Sequence, residues 1–265
     1  MDLNCVITQT IQVSPIMKII KVKPEGWQFP QFQAGQFVGL GLPPEAPRSA
    51  EATREHTPPN PDKLIKRAYS IASSSTEQVV EFYITLVHSG QLTPRIWELR
   101  IGDRIWMGKK AVGMFTLDQI EPESNVIMVA TGTGIAPYMS MLRTNALKRK
   151  GNILVMQGAS NSWDLGYSSE LKLLANMFDN FDYYPTITDP DKEPSGWDGD
   201  TRFVQDIWVS GLADKIWGFK PTPLNTHIFL CGNPKMVEGM KSVLAKEGFT
   251  EHNRRVFGQI HAEEF

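Results

Sequence analysis

Three short stretches carry residue types whose spacing could do chemistry: KRAYSIASS at 66–74, ATGTGIAPY at 130–138 and CGNP at 231–234. In the first, strand alternation puts Arg67 and Tyr69 on one face and sends Ser70 the opposite way or into a turn. A guanidinium fork matches diphosphate oxygens bidentately, and a phenol ring covers a flat heterocycle and excludes water. One cation, one aromatic face and one small hydroxyl therefore suit a diphosphate joined to a ring such as isoalloxazine. In the second, glycines follow the apolar run 126–130 and precede a helical pattern, so Gly132, Thr133 and Gly134 can bring backbone N–H groups to a pyrophosphate at a helix N-terminus. Pro137 supplies a fixed φ near the helix start without wasting a donor. The third repeats the strand-to-helix design with Cys231, Gly232, Asn233 and Pro234. A buried cysteine is more often inert packing, and each motif alone is a weak signal.

The elements that must position these residues follow two patterns. Short β-type runs broken by Gly and Pro at 6–13, 17–22, 37–42, 68–72, 79–87 and 104–107 predict an N-terminal antiparallel β-barrel. After about Gly113 strands alternate with longer helical segments. Strands are expected at 125–130, 152–157, 182–187, 227–231 and 255–260, and helices after Gly134 and at 168–177, 201–209 and 234–246. That alternation predicts an α/β doubly wound parallel sheet with ligands at the carboxyl ends of its strands. The domains are expected at 1–118 and 119–265, with a linker over 116–124. Between them in character stands the polar, proline-rich segment 43–66, which lacks the large apolar residues of a core and reads as a surface insertion.

Composition narrows the function classes. The chain has 265 residues, 41% of them hydrophobic, and 27 basic against 29 acidic residues for a net charge of −2. That balance argues against a protein built to neutralise nucleic-acid phosphates. The beginning MDLNCVITQTIQV shows no basic segment followed by an apolar core, and no window suits a membrane span, so a cytoplasmic location is expected. Two cysteines, Cys5 and Cys231, are too few for a disulfide framework or a four-cysteine iron–sulfur cluster. His56, His88, His227, His252 and His261 are scattered without ligand spacing, and no metal site is expected.

In order along the chain, AGQF at 34–37, RAYS at 67–70, EFYITLV at 81–87, GQLTPR at 90–95, GTGIAPY at 132–138, CGNPKMV at 231–237 and an aromatic C-terminus resemble the ferredoxin–NADP reductase family, in its bacterial type. The resemblance implies a flavoenzyme with FAD and with NADPH or NADH as co-substrate. It places Arg67 on the FAD diphosphate, with Ala68 beside it, Tyr69 packed on the flavin and Ser70 near its reactive N5 edge. It sets Tyr83 against the FAD, and Gln91, Leu92 and Thr93 around the diphosphate, with Thr133 shared between FAD and nucleotide. Cys231 would face the nicotinamide C4, Glu263 or Glu264 would polarise or relay protons, and Phe265 would stack on the flavin. Relatives often continue to a further tryptophan at the adenine, which this sequence lacks.

The resemblance also implies arginines at the adenosine 2′-phosphate in NADP-using relatives. Here Ser160 and Asp189 stand at two of those places and Arg202 at the third, with Lys172 or Lys192 as compensating cations, so a weakened or reversed NADPH preference is expected. The implied activity is hydride exchange between NAD(P)H and FAD and one-electron exchange with ferredoxin or flavodoxin, a separate chain, by an enzyme expected to be a monomer. The alternative is an NADH-dependent flavoreductase serving another acceptor, such as an oxygenase. Arg95, Arg100, Lys109, Lys110, Arg254 and Arg255 are candidate docking cations or a solvated face.

Overall fold

A computed structural model describes residues 2–264. By its contacts the chain forms two units, one of residues up to 116 together with 136–144, the other of 117–135 together with residues from 145 on. Six antiparallel strands make the sheet of the first unit: β1 (Cys5–Ser14), β2 (Met17–Pro24), β3 (Phe37–Leu42), β4 (Ile65–Ser70), β5 (Val80–Thr85) and β6 (Arg104–Met107), in the order β4-β3-β6-β1-β2-β5. Alternation drives the curl. Ile7, Ile20, Val38, Leu40, Phe82 and Ile105 face one interior and are almost wholly buried, whereas Thr8 and Gln9 of β1 are exposed. The sheet is barrel-like but not closed, since β4 and β5 at its two ends meet through the single bridge Ile71–Phe82. RAYS therefore lies on an end strand, where a ligand can approach.

Two further pieces complete this unit. The short helix α1 (Thr93–Trp97) follows β5, and α2 (Ala136–Thr144) joins the unit from later in the chain. On α2, Arg143 donates to Glu81 Oε1 at 2.7 Å and to the Ala72 carbonyl at 3.0 Å. Glu81 is 4% exposed and also pairs with Lys21 at 3.4 Å, so a buried carboxylate on β5 has two cationic partners. Tyr138 stacks on Phe115 with centroids 5.9 Å apart. The segment from Pro43 to Leu64 has no helix or strand, yet it is pinned rather than merely solvated: the Ser49 amide donates to the Pro94 carbonyl and the Thr53 amide to the His88 carbonyl.

The second unit is a parallel sheet of β7 (Asn125–Thr131), β8 (Ile153–Ala159), β9 (Phe181–Ile187), β10 (Thr226–Gly232) and β11 (Ile260–Glu264), in the order β11-β10-β7-β8-β9. Its helices are α3 (Ser168–Met177), α4 (Val204–Val209), α5 (Leu212–Trp217) and α6 (Pro234–Lys246). Ile127, Val129, Leu154, Met156, Ile228 and Leu230 pack with α4, α5 and α6 in one core. The alternate residues Val126, Met128, Val155 and Phe229 are equally buried. Both faces are thus covered, which is why these strands read as continuous apolar runs.

Three expectations are corrected here. The last strand is not 255–260 but β11: Asn253 Oδ1 accepts from the amides of Arg255 and Val256 at 2.9 and 3.0 Å and holds that stretch in a turn. The helix expected at 201–209 begins only at Val204, because the Arg202 amide and carbonyl are held by Asp200 and Thr186. Helix α5 had no expected counterpart. Among the described residues no helix is long and apolar enough to cross a membrane.

The histidines are less scattered than their spacing suggested. His227, His252 and His261 meet at the start of β10 and β11, with His227 Nδ1 3.3 Å from His261 Nε2 and the His252 and His261 ring centroids 4.6 Å apart. No group among the described residues is suited to hold a metal ion. Burial, helped by Arg149 and the neighbouring histidine, holds His227 down at about 4, and burial with the other two histidines holds His261 at about 3. Unfolded imidazoles protonate near 6.5, so the stabilisation is complete above that pH and is lost as pH falls towards 4. Urea unfolding should show stability falling by roughly 1.4 kcal/mol per pH unit for each such imidazole below pH 6.5; a midpoint that does not move between pH 7 and 5 contradicts this.

Candidate functional site

The strand order reverses between β7 and β10, and such a switch point opens a crevice at the carboxyl ends of the strands. Both glycine loops emerge there. After β7, the residues Gly132–Ile135 form one turn of 3-10 helix that runs into α2, with Pro137 at its second position. After β10, Asn233 caps α6, its Oδ1 accepting from the Lys235 amide at 2.9 Å, and Pro234 is the first helical residue.

The loops interlock. A Cβ on Gly134 would overlap the Cys231 carbonyl, and one on Gly232 would overlap Thr131, at a backbone φ of +139° that side chains rarely adopt. The Asn233 amide donates to Thr131 Oγ1 at 2.9 Å. Thr131, which went unremarked in the sequence, is thus the tie between the two loops; its signal was a hydroxyl directly after the apolar run 126–130.

Beside this cradle the parallel register sets Cys231 opposite Glu263 and Gly232 opposite Glu264. Cys231 is fully buried. Burial first, and then the neighbouring Glu263, push its thiol well above the usual range, so it stays neutral and is not a nucleophile. Glu263 is half-buried, and burial lifts its carboxyl to about 7. Phe265 lies outside the described residues.

Ser160 follows β8 directly and Asp189 lies two residues beyond the end of β9, and the Asp189 amide donates to the Ser160 carbonyl at 2.9 Å. Asp189 pairs with Lys192 at 2.5 Å. Arg202 is chelated by Asp200: its Nε donates at 2.9 and 3.1 Å to the two carboxylate oxygens, and Nη2 makes a further contact with Oδ2. Tyr184 also donates to Asp200, at 3.0 Å. Hydrogen bonds from Arg202 depress Asp200 to about 2, so the pair stays ionic throughout the physiological range. Lys172 makes no recorded ion pair among the described residues.

In the first unit, Arg67 and Ala68 of β4 are exposed, and the only hydrogen bond of the Arg67 guanidinium among the described residues is to the Lys66 carbonyl at 2.7 Å. Tyr69 is half-buried against the barrel core, and burial raises its phenol. Ser70 ends the strand opposite Phe37. Tyr83 is 3% exposed, its hydroxyl donating to Met17 Sδ. Gln91 and Thr93 are half-buried and Leu92 is buried; Thr93 Oγ1 accepts from the Val87 amide at 3.0 Å and fixes the turn before α1. Arg95, expected as a docking cation or part of a solvated face, is instead 3% exposed and internally bonded, because the 43–64 segment lies over it.

Comparison with known proteins agrees with this geometry. Residues 128–242 match the oxidoreductase NAD-binding domain family. The chain is 33% identical over 236 residues, 88% of each chain, to a flavodoxin/ferredoxin–NADP reductase of Buchnera aphidicola. It is 30% identical over 207 residues, 78% of this chain and 76% of the relative, to the one of Escherichia coli. A crystal structure of a ferredoxin NADP+ reductase from Neisseria gonorrhoeae with bound FAD and NADP superposes with a TM-score of 0.82 at 24% identity, over 98% of this chain and 97% of that one.

The raised carboxyl is directly measurable. A carbon-detected titration of labelled protein should give Glu263 an apparent pKa near 7. Since the folded protein binds this proton more tightly than the unfolded chain does, the group destabilises the fold as pH rises from about 4.5 to 7. A value near 4.5 would show the carboxyl to be solvated.

Proposed function

Because the chain belongs to the flavodoxin/ferredoxin–NADP reductase family, we propose that it is a FAD-dependent oxidoreductase that exchanges hydride with NAD(P)H and single electrons with ferredoxin or flavodoxin. The observation that carries this reading is the interlock of two glycine loops at the carboxyl ends of β7 and β10, where a side chain on Gly134 or Gly232 would collide with the facing loop. FAD is assigned to residues 1–118 and the nicotinamide nucleotide to 119–265. The chain acts as a cytoplasmic monomer and meets its carrier as a separate protein.

When bound, FAD supplies the exchange between two-electron and one-electron chemistry. The chain supplies binding and orientation. Arg67 has the exposed fork that a diphosphate requires, free of any ion pair among the described residues and bonded only to the adjacent Lys66 carbonyl, and Ala68 leaves room beside it. Tyr69 provides the aromatic face, and Ser70 a hydroxyl for the reactive edge of the ring. Gln91, Leu92, Thr93 and, from the β5 side, Tyr83 complete this site. Gly132, Thr133, Gly134, Pro137, Gly232, Asn233 and Pro234 shape the nucleotide cradle. Cys231, kept as a neutral thiol, positions the nicotinamide by contact rather than by attack. Glu263, near half-protonated at neutral pH, can hold or release a proton at its carboxyl oxygens. Phe265, outside the described residues, keeps the role the resemblance gives it, an aromatic ring for the flavin.

Ser160, Asp189 and Arg202 govern cofactor choice. An acidic group after an early strand of such a sheet suits an unphosphorylated ribose, and an arginine suits a 2′-phosphate. Here the arginine is chelated by Asp200 and the lysine by Asp189, so a phosphate would have to compete with carboxylates for both. NADH is therefore used at least as well as NADPH.

Three outcomes test this reading. Purified protein should be yellow, and Arg67→Ala should weaken FAD binding by about ten- to a hundredfold, the worth of a charge-assisted contact; unchanged retention would remove Arg67 from the site. Stopped-flow reduction should proceed with NADH at least as efficiently as with NADPH, and Asp189→Arg should shift the ratio towards NADPH; a parental preference for NADPH by several orders of magnitude contradicts the assignment of this loop. Cys231→Ala should slow flavin reduction more than it weakens nucleotide binding, and equal rates would return Cys231 to packing.

A further inference from the structure

The 43–64 segment is long, polar and free of regular structure, yet one buried guanidinium ties two points of it, Pro44 near its start and Glu55 in its middle, to the turn before α1. Arg95 Nε and Nη2 donate to the Pro44 carbonyl at 3.1 and 2.6 Å. Nη1 donates to Glu55 Oε1 at 2.7 Å and to the Gln91 carbonyl at 2.6 Å, and Nη2 reaches Glu55 Oε2 at 3.4 Å. Hydrogen bonding from Arg95 holds the Glu55 carboxyl below its ordinary range. A second arginine repeats the pattern: Arg48 Nη2 donates to the Thr53 carbonyl at 2.9 Å and to the Gly90 carbonyl at 3.3 Å. Gln91 Nε2 donates to the Thr57 carbonyl at 3.3 Å. The Gly90 carbonyl is thus held directly from the segment by Arg48, and the Gln91 carbonyl by Arg95, which the segment in turn pins through Pro44 and Glu55.

We propose that the 43–64 segment is a fixed wall of the FAD site, and that Glu55 and Arg95 are positioning residues that hold residues 90–93 in the conformation that retains FAD. The proposal rests on the reading that residues 90–93 surround the diphosphate. The physical reason is burial. Arg95 is 3% exposed, and a guanidinium at such a site needs a carboxylate as well as carbonyls, because removing one partner of a buried pair leaves an uncompensated charge. Without Glu55 the guanidinium draws towards water and takes the Gln91 carbonyl with it. A loop shifted by about 1 Å no longer presents its groups to a diphosphate. Such a loss falls on the residence of the cofactor, since neither residue touches the reacting atoms.

The test measures FAD release by recovery of flavin fluorescence on dilution, at a temperature well below unfolding, for the parent, Glu55→Gln, Glu55→Asp and a variant with 46–62 replaced by a short Gly/Ser link. Melting of each FAD-free protein is followed in parallel. Release should be about ten- to a hundredfold faster in Glu55→Gln, the range for losing a hydrogen-bonded charge. Glu55→Asp should recover part of the loss, and the shortened variant should release FAD at least as fast as Glu55→Gln. Parental release rates in Glu55→Gln and in the shortened variant overturn the proposal, as does a lowered melting temperature of the FAD-free protein with release unchanged. A parent that binds no FAD overturns the functional reading and this proposal with it, whereas a parent that binds FAD beside variants that release it normally overturns this proposal alone.

Discussion

Two backbones approach each other more closely than a Cβ permits only where glycine stands, and at the carboxyl ends of β7 and β10 that constraint acts twice. Gly134 sits against the Cys231 carbonyl and Gly232 against Thr131, with the Asn233 amide closing the gap on the Thr131 hydroxyl. Everything the second unit offers to chemistry hangs on this crossing. It directs the 3-10 turn and α6 away from one point, so that the donors of two loops converge there.

The consequence is an uneven distribution of charge around a buried thiol. β11 is at the end of the sheet order, and its register brings Glu263 beside Cys231. Burial raises both groups by the same shortage of water, enough to keep the Cys231 thiol neutral and to leave Glu263 near half-protonated at neutral pH. At the opposite ends of the same two strands, His227 and His261 are held neutral by the same means. Polar groups at both ends of β10 and β11 are therefore poised against their solvated states, while the strand middles are plain apolar packing. Farther along the sheet edge, beyond β8 and β9, the charges pair outright, as Asp200 does with Arg202 and Asp189 with Lys192, the cation of each pair being exposed.

What was legible in the sequence was what local physics decides. Helices 168–177 and 234–246 are where periodicity and an Asn-Pro cap put them, and strand 37–42 where alternation put it. The glycine loops were legible because a missing side chain is itself the signal. Partnerships across long separations were not. Glu55 and Arg95 are forty positions apart, and nothing in PPEAPRSAEATREH says which of its charges goes inside, so Arg95 read as a surface cation and the segment as solvated. Arg202 stands two residues from Asp200 in DGDTR, close enough to suspect a pair, yet the resemblance drew attention to its phosphate role instead. The three histidines meet only because β10 and β11 are neighbours, a fact of topology that spacing does not carry.

The central claim is that the crossing of the two loops, rather than any single side chain, makes the nucleotide site. Gly134→Ala tests it most directly, since the added methyl group meets the Cys231 carbonyl and its three nearest atoms are all backbone of the facing loop. Pre-steady-state flavin reduction by NADH should fall by two orders of magnitude or more, as about 1 Å of misplacement is enough to cause, with FAD still bound. Parental reduction rates in Gly134→Ala would show that the loops need not interlock, and the account built on them would fail.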